Sequence, residues 1–351
     1  MDGGVEQVAL PGVQAAARAE RRGHRQRDAS PRGGEADPHA ARAQRPRIRL
    51  ALVLALGLAL TLPGCARAPL DRDSFELRHV ALQDGFLRLE LKIPYRPAGA
   101  KPVVIGPFGD DRELLDRGVI VADFHHDWSP LHELAEARDP GEATVGKALL
   151  ASPRPGVIGR GYFQLVELGA RRSIPAIIDH LVTLPDVDPD RIAVAGSSTR
   201  GFMALEALVA DARLAAGVVR VACGDYHEFL RSSSLALAGE ERWLENGRLS
   251  LDADYERELS AREPIRSPDR FPPRPLLLLA GGRDPVVPLT CVQRTARALA
   301  AAYAARGQGA RFRFVLYPEA GHDLGGDAVR EMLAWWDRWL LGEEAPLRTR
   351  R

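Results

Sequence analysis

Between residues 100 and 342, short and continuously apolar runs alternate with segments of helical periodicity, and this alternation limits the possible folds most. PVVIG (102–106), GVIVAD (118–123), RIAVA (191–195), GVVRVA (217–222) and PLLLLAG (275–281) have the length of strands. Their lack of polar alternation is what a strand covered on both faces requires. ARRSIPAIIDHLVTL (170–184) instead places apolar side chains at 174, 177, 178, 181 and 182, one stripe of a 3.6-residue period. Residues 290–306 and 329–341 repeat that pattern. Strands separated by helices predict an α/β fold with a mostly parallel sheet.

Three further segments complete the outline. FELRHVAL (75–82) and FLRLELKI (86–93) alternate around Gln83-Asp84-Gly85, which predicts an antiparallel opening hairpin. RFRFVLY (311–317) alternates as a strand nearer the sheet edge does. The intervals 124–169 and 224–274 are too long for bare connections and read as functional excursions with short helices of their own. No internal repeat is present.

Forty-eight basic residues stand against 47 acidic ones, but ten of the arginines lie in residues 1–49 with only six carboxylates. The body that remains is slightly acidic and carries no basic stripe, which argues against nucleic-acid binding. Residues 1–46, rich in Ala, Arg, Gly and Pro without periodicity, read as a disordered extension or as a stretch upstream of a true start near Arg45. RPRIRL (45–50) then gives a positive flank to the 13 apolar residues of LALVLALGLALTL (50–62). As a helix they would reach roughly 20 Å against a hydrocarbon core of roughly 30 Å, so an export signal is expected over a membrane span.

LPGC (62–65) closes that run and resembles the lipobox of bacterial lipoproteins, with a less usual proline at 63. The resemblance implies cleavage before Cys65 and acylation of that residue. The mature domain, residues 66–345, would then be held by membrane lipid on the periplasmic or cell-surface side of a bacterial envelope. Only Cys223 and Cys291 follow. An exported protein can pair two such cysteines, but buried free thiols are the expectation here.

Three motifs sit at the ends of the apolar strands. RIAVA runs into GSSTRG and a helix, the strand–turn–helix setting in which a serine hydroxyl is lifted above the sheet. GGRDPVVP (281–288) places Asp284 after the strand 275–281, and YPEAGHDL (317–324) places His322 after the last strand. Ser198, Asp284 and His322 follow the chain order Ser, Asp, His. With DPDRI ahead of the turn, these motifs resemble the α/β-hydrolases of the dienelactone hydrolase and prolyl oligopeptidase type, over about residues 100–342. That resemblance implies an eight-stranded, mostly parallel sheet flanked by helices. It makes Ser198 the nucleophile, His322 the base and Asp284 its orienting acid.

The oxyanion donors expected from the resemblance are the N–H groups of Thr199 and Phe108, with Gly109 as the alternative in the loop GPFGDD (106–111). Arg200 departs from the family pattern, which keeps a small residue two positions after the nucleophile. Its guanidinium is expected near the pocket mouth or on a helix-facing carboxylate, where it could favour an anionic substrate. Ser197 is an alternative nucleophile lying one residue too near the strand. FHHDW (124–128) reads as a rim of the substrate cleft rather than a metal site, because adjacent histidines seldom face one ion. Tyr226, Phe229, Trp243 and Tyr255 suit either an apolar pocket or lid or a small core of the second excursion.

The expected activity is hydrolysis of small carboxylic esters through an acyl-enzyme, with no metal or organic cofactor. Two other readings stand beside it. One is a small serine peptidase of the prolyl oligopeptidase type, against which the 36 residues between Cys65 and Pro102 leave no room for a propeller. The other is a non-catalytic lipoprotein that uses the fold as a scaffold.

Overall fold

The computed structural model describes residues 74–126 (Asp84 apart), 162–234, 244–245, 248–249 and 253–342. Cys65, Trp128, Trp243 and most of the first excursion lie outside the described residues.

Eight strands form one sheet in the order β1-β2-β4-β3-β5-β6-β9-β10. They are β1 (Phe75–Leu82), β2 (Leu87–Pro94), β3 (Lys101–Ile105), β4 (Ile120–His126), β5 (Val187–Ser197), β6 (Gly217–Arg220), β9 (Leu276–Gly281) and β10 (Phe312–Tyr317). A separate two-residue pairing joins β7 (Leu244–Glu245) to β8 (Arg248–Leu249). Within the eight-stranded sheet only the pairs β1–β2 and β2–β4 are antiparallel. The others run parallel, so helices must cross the faces of the sheet to connect them.

Those helices are α1 (Asp111–Asp116), α2 (Ile174–Leu181), α3 (Thr199–Ala210), α4 (Tyr226–Ser232), α5 (Ala253–Arg262), α6 (Leu289–Ala305) and α7 (Gly325–Trp336). A π-helical turn, Leu168–Ser173, leads directly into α2. The apolar stripe seen in the sequence buries Ile174, Ile177, Ile178 and Leu181. All residues of β3 and β9 are buried, which is why neither alternates. The edge strand β10 shows the alternate case, with Phe312–Phe314 only partly covered.

The direction of strand addition reverses at β3, which lies between β4 and β5. The loops leaving the carboxyl ends of β3 and β5 therefore diverge and open a crevice there, the place where open α/β sheets bind ligands. The loop after β3 is Gly106–Asp110, and the turn after β5 is Ser198.

Two expectations need correction. β4 continues through Phe124, His125 and His126, paired with Leu89, Arg88 and Leu87 of β2, so these residues are strand and not a following loop. Consecutive strand residues face opposite sides. His126 turns to Ser173 at 2.8 Å while His125 is exposed, so the two do not share a site. Among the described residues no group of three or more His, Cys, Asp or Glu could hold a metal ion.

The second correction concerns the cysteines. Cys223 and Cys291 are not free thiols but a disulfide, with Cα atoms 5.8 Å apart. After β6 the backbone turns at Val221, whose φ is +42°, and this carries Cys223 onto the first turn of α6. Gly224 N–H donates to Thr295 Oγ1 at 2.8 Å and fixes the same contact. Alkylation under non-reducing denaturing conditions followed by peptide mass mapping should recover Cys223 linked to Cys291. Recovery of both as alkylated monomers would overturn the pairing.

Candidate active site

Ser198 joins β5 to α3 with φ +55° and ψ −125°, a left-handed conformation that a non-glycine residue adopts at a cost of about 1–3 kcal/mol. Its N–H donates to Arg220 O at 3.1 Å, and its carbonyl accepts from Phe202 N at 3.1 Å to start the helix. The crossing is tight. A Cβ on Gly196 would sit 2.2 Å from Arg200 O, and one on Gly201 would sit 2.9 Å from Arg220 O. The second small residue of the turn is therefore Gly201, where the helix meets β6, and position 200 is free to carry a long side chain.

Arg200 uses that freedom to reach the end of β4. Its Nη1 donates to Asp123 Oδ1 at 2.5 Å, its Nη2 donates to Phe124 O at 2.7 Å, and its guanidinium lies 5.3 Å from the Phe124 ring centroid. Of the two places expected for it, the carboxylate is the one realised. The same charge, after burial, helps hold the neighbouring His126 imidazole neutral, with its pKa lowered to about 4.

The acid and the base meet on the next loops. His322 Nδ1 lies 2.8 Å from Asp284 Oδ2. Asp284 is 6% exposed, and its Oδ1 accepts the N–H groups of Val286 and Val287 at 2.8 and 3.0 Å. The carboxylate is thus held from both sides and aimed at the imidazole. Gly281 and Gly282 make the approach possible, since a Cβ on either would lie 2.1–2.3 Å from Gly321 O or Pro318 O. Backbone bonds Gly282 N→Tyr317 O (2.8 Å) and Arg283 N→Ala320 O (2.9 Å) then zip the two loops together. With Nδ1 committed to Asp284, Nε2 is the nitrogen left for a hydroxyl proton.

Thr199 is the first residue of α3, where a helix leaves its N–H without an intrahelical acceptor. Phe108 differs: its N–H donates to Asp110 Oδ1 at 3.1 Å, while the residue is 52% exposed. Asp110 itself is fully buried, and among the described residues its Oδ2 has no hydrogen-bond partner. Burial, aided by the charge of Asp111, lifts its pKa to about 7.

Tyr226 (0% exposed), Phe229 and Tyr255 are buried, which favours the core reading over a lid. Tyr226 and Phe229 join an aromatic cluster with Tyr162, Phe163 and Phe202.

Two charged groups were passed over in the sequence. Glu206 of α3 is fully buried and accepts from Arg171 Nε (2.6 Å), Arg262 Nε (3.1 Å) and Tyr226 Oη (3.0 Å). Arg220 of β6 is 5% exposed. Each had a signal, a charged residue inside an otherwise apolar run: FMALEALVA and GVVRVA.

The sheet, the serine turn and the His–Asp pair define an α/β-hydrolase domain of the serine hydrolase class. Residues 173–343 match the prolyl oligopeptidase family. The chain is 25% identical over 242 residues to "Putative hydrolase YtaP" of Bacillus subtilis (strain 168), covering 69% of this chain and 71% of that protein. It is 24% identical over 186 residues to "Putative esterase YitV" of the same organism, covering 51% and 69%. A puromycin-hydrolysing peptidase of Mycobacterium tuberculosis superposes with a TM-score of 0.54 at 22% identity, over 78% of this chain. The chain spans 41% of that peptidase's length, and the likeness shows the shared fold.

The Asp110 environment generates a pH dependence. Aspartate in an unfolded chain ionises near pH 3.9, so between about pH 4 and 7 the folded protein keeps a proton that the unfolded chain has released. Stability attributable to this group is complete below pH 4 and falls as pH rises towards 7. Asp110→Asn cannot ionise, so its melting temperature relative to wild type should be higher at pH 8 than at pH 4. An equal difference at both pH values would refute the assignment.

Proposed function

We propose that the protein hydrolyses small carboxylic esters through a Ser198 acyl-enzyme. The observation that carries this reading is His322 held by Asp284 at 2.8 Å, at the same end of the parallel strands as a serine in a strained left-handed turn. In the proposed cycle His322 Nε2 takes the Ser198 hydroxyl proton as Oγ attacks the ester carbonyl. The Asp284 carboxylate stabilises the imidazolium that forms, and the proton then passes to the leaving alcohol. Water enters the same geometry and releases the acid. Thr199 N–H supplies one oxyanion donor. Phe108 N–H supplies the second once it is shared with, or released by, Asp110. The name of the B. subtilis esterase supports an ester substrate.

A peptide substrate is the second reading, favoured by the family match over residues 173–343 and by the peptidase activity named for the M. tuberculosis neighbour. A fluorophosphonate probe separates a working serine from a non-catalytic scaffold without a guess about substrate. Wild type should label, and Ser198→Ala should not, with hydrolysis of p-nitrophenyl acetate falling roughly 10⁴-fold or more. Labelling that survives in Ser198→Ala would move the nucleophile, with Ser197 first in line. Absence of labelling in folded wild type would favour the scaffold. A parallel panel of esters and peptide p-nitroanilides decides between the two chemistries.

We also propose that the chain is exported and anchored to membrane lipid through Cys65. Support comes from the apolar run before LPGC and from the Cys223–Cys291 disulfide, since such bonds persist in oxidising compartments. Radiolabelled palmitate should be incorporated by wild type and not by Cys65→Ser in a bacterial host. Equal incorporation would sink the proposal.

A further inference from the structure

A buried arginine at the centre of the site has no part in the cycle just described. Arg220 ends β6, directly beneath the nucleophile turn. Its carbonyl accepts the Ser198 N–H at 3.1 Å and lies on the close approach made by Gly201. Its guanidinium lies 5.3 Å from the centroid of the Phe108 ring. Among the described residues its Nε has no hydrogen-bond partner. A guanidinium taken out of water is costly, and it is retained only where a charge or an aromatic face compensates. The carboxylate that acts on this charge is Asp323, next to His322; Asp110, which accepts the Phe108 amide, adds to it only once ionised.

We propose that Arg220 is a positioning residue that locks the nucleophile turn to the loop carrying the candidate oxyanion donor. Its main chain fixes Ser198, while its side chain seats the Phe108 ring and, with it, the Gly106–Asp110 loop. One residue thereby sets the relative placement of the nucleophile turn and the Gly106–Asp110 loop, which a tetrahedral intermediate must contact together. Loss of that placement lowers the rate of the chemical step and leaves ground-state binding nearly unchanged, because the donors act where charge develops.

This inference rests on the proposed serine chemistry, so Ser198→Ala accompanies the test. The full chain, as wild type, Arg220→Met, Arg220→Lys and Ser198→Ala, is assayed with p-nitrophenyl acetate and with a fluorophosphonate probe, and melting temperatures are measured alongside. Arg220→Met should lower kcat and the phosphonylation rate roughly ten- to a hundredfold, with KM changed less than about threefold. Arg220→Lys, which keeps the charge, should recover part of both rates. Wild-type rates in folded Arg220→Met would overturn the proposal, as would a rise in KM alone, which would mark Arg220 as a substrate contact. If Arg220→Met does not fold, Phe108→Leu takes its place. Slower phosphonylation at an unchanged melting temperature supports the proposal, and a wild-type rate overturns it. Labelling that persists in Ser198→Ala refutes Ser198 as the nucleophile, and this inference with it; loss there beside normal Arg220→Met refutes this inference alone.

Discussion

The left-handed backbone of Ser198 is the constraint that the neighbouring elements accommodate. A strand buried on both faces must stop, reverse direction and start a helix within one residue, and φ +55° is how it does so. The strain persists because the surroundings leave no alternative. Gly196 and Gly201 let the helix lie against β5 and β6 at distances that no Cβ would tolerate, and the Ser198 N–H is spoken for by Arg220 O. The same geometry explains why an arginine can occupy position 200. The tight contact runs through Gly201, while Arg200 leaves the turn sideways and ends on Asp123 and Phe124. The departure from the family pattern displaces the small residue by one position and leaves the turn intact.

A second layer of organisation is electrostatic and lies behind the turn. Nearly all of α3 from Gly201 to Val209 is buried, and Glu206 in its middle is the one carboxylate there. Arg171 from the π-helical turn, Arg262 from α5 and Tyr226 from α4 converge on it. Arg262 also donates to Glu167 at 2.8 Å and to Phe163 O at 2.5 Å. A buried ion pair adds little net stability over an apolar replacement, but removing one partner is expensive, so such a network fixes arrangement more than it adds energy. What it fixes is the described part of the second excursion against the nucleophile helix. The Cys223–Cys291 disulfide does the equivalent for the chain leaving β6, binding it to α6.

These anchors bear on specificity. The groups proposed as donors, base and nucleophile come from loops at the carboxyl ends of the strands, and none of them distinguishes an ester from an amide. That choice belongs to the groups that surround the acyl and leaving portions of a substrate.

The sequence by itself determined the layered architecture. Continuous apolar runs of strand length, bounded by glycines and separated by helical segments, read as strands buried on both sides, the 174–182 stripe buries one face of a helix, and the alternation in 311–317 marks an edge. It also determined the three loops that carry Ser198, Asp284 and His322, because glycines and short turns at strand ends are local requirements readable one segment at a time. Tertiary structure decided what depends on partners distant in the chain. Cys223 and Cys291 are 68 residues apart, and nothing in either neighbourhood announces the turn at Val221 that brings them together. Phe108 could be named as a donor from its loop, but its amide turns to an Asp110 whose burial is set by packing against other elements. Arg200, Arg220 and Glu206 showed only as charges out of place. Their partners lie on strands and helices adjacent in space and remote in sequence, and a buried charge is defined by its partners.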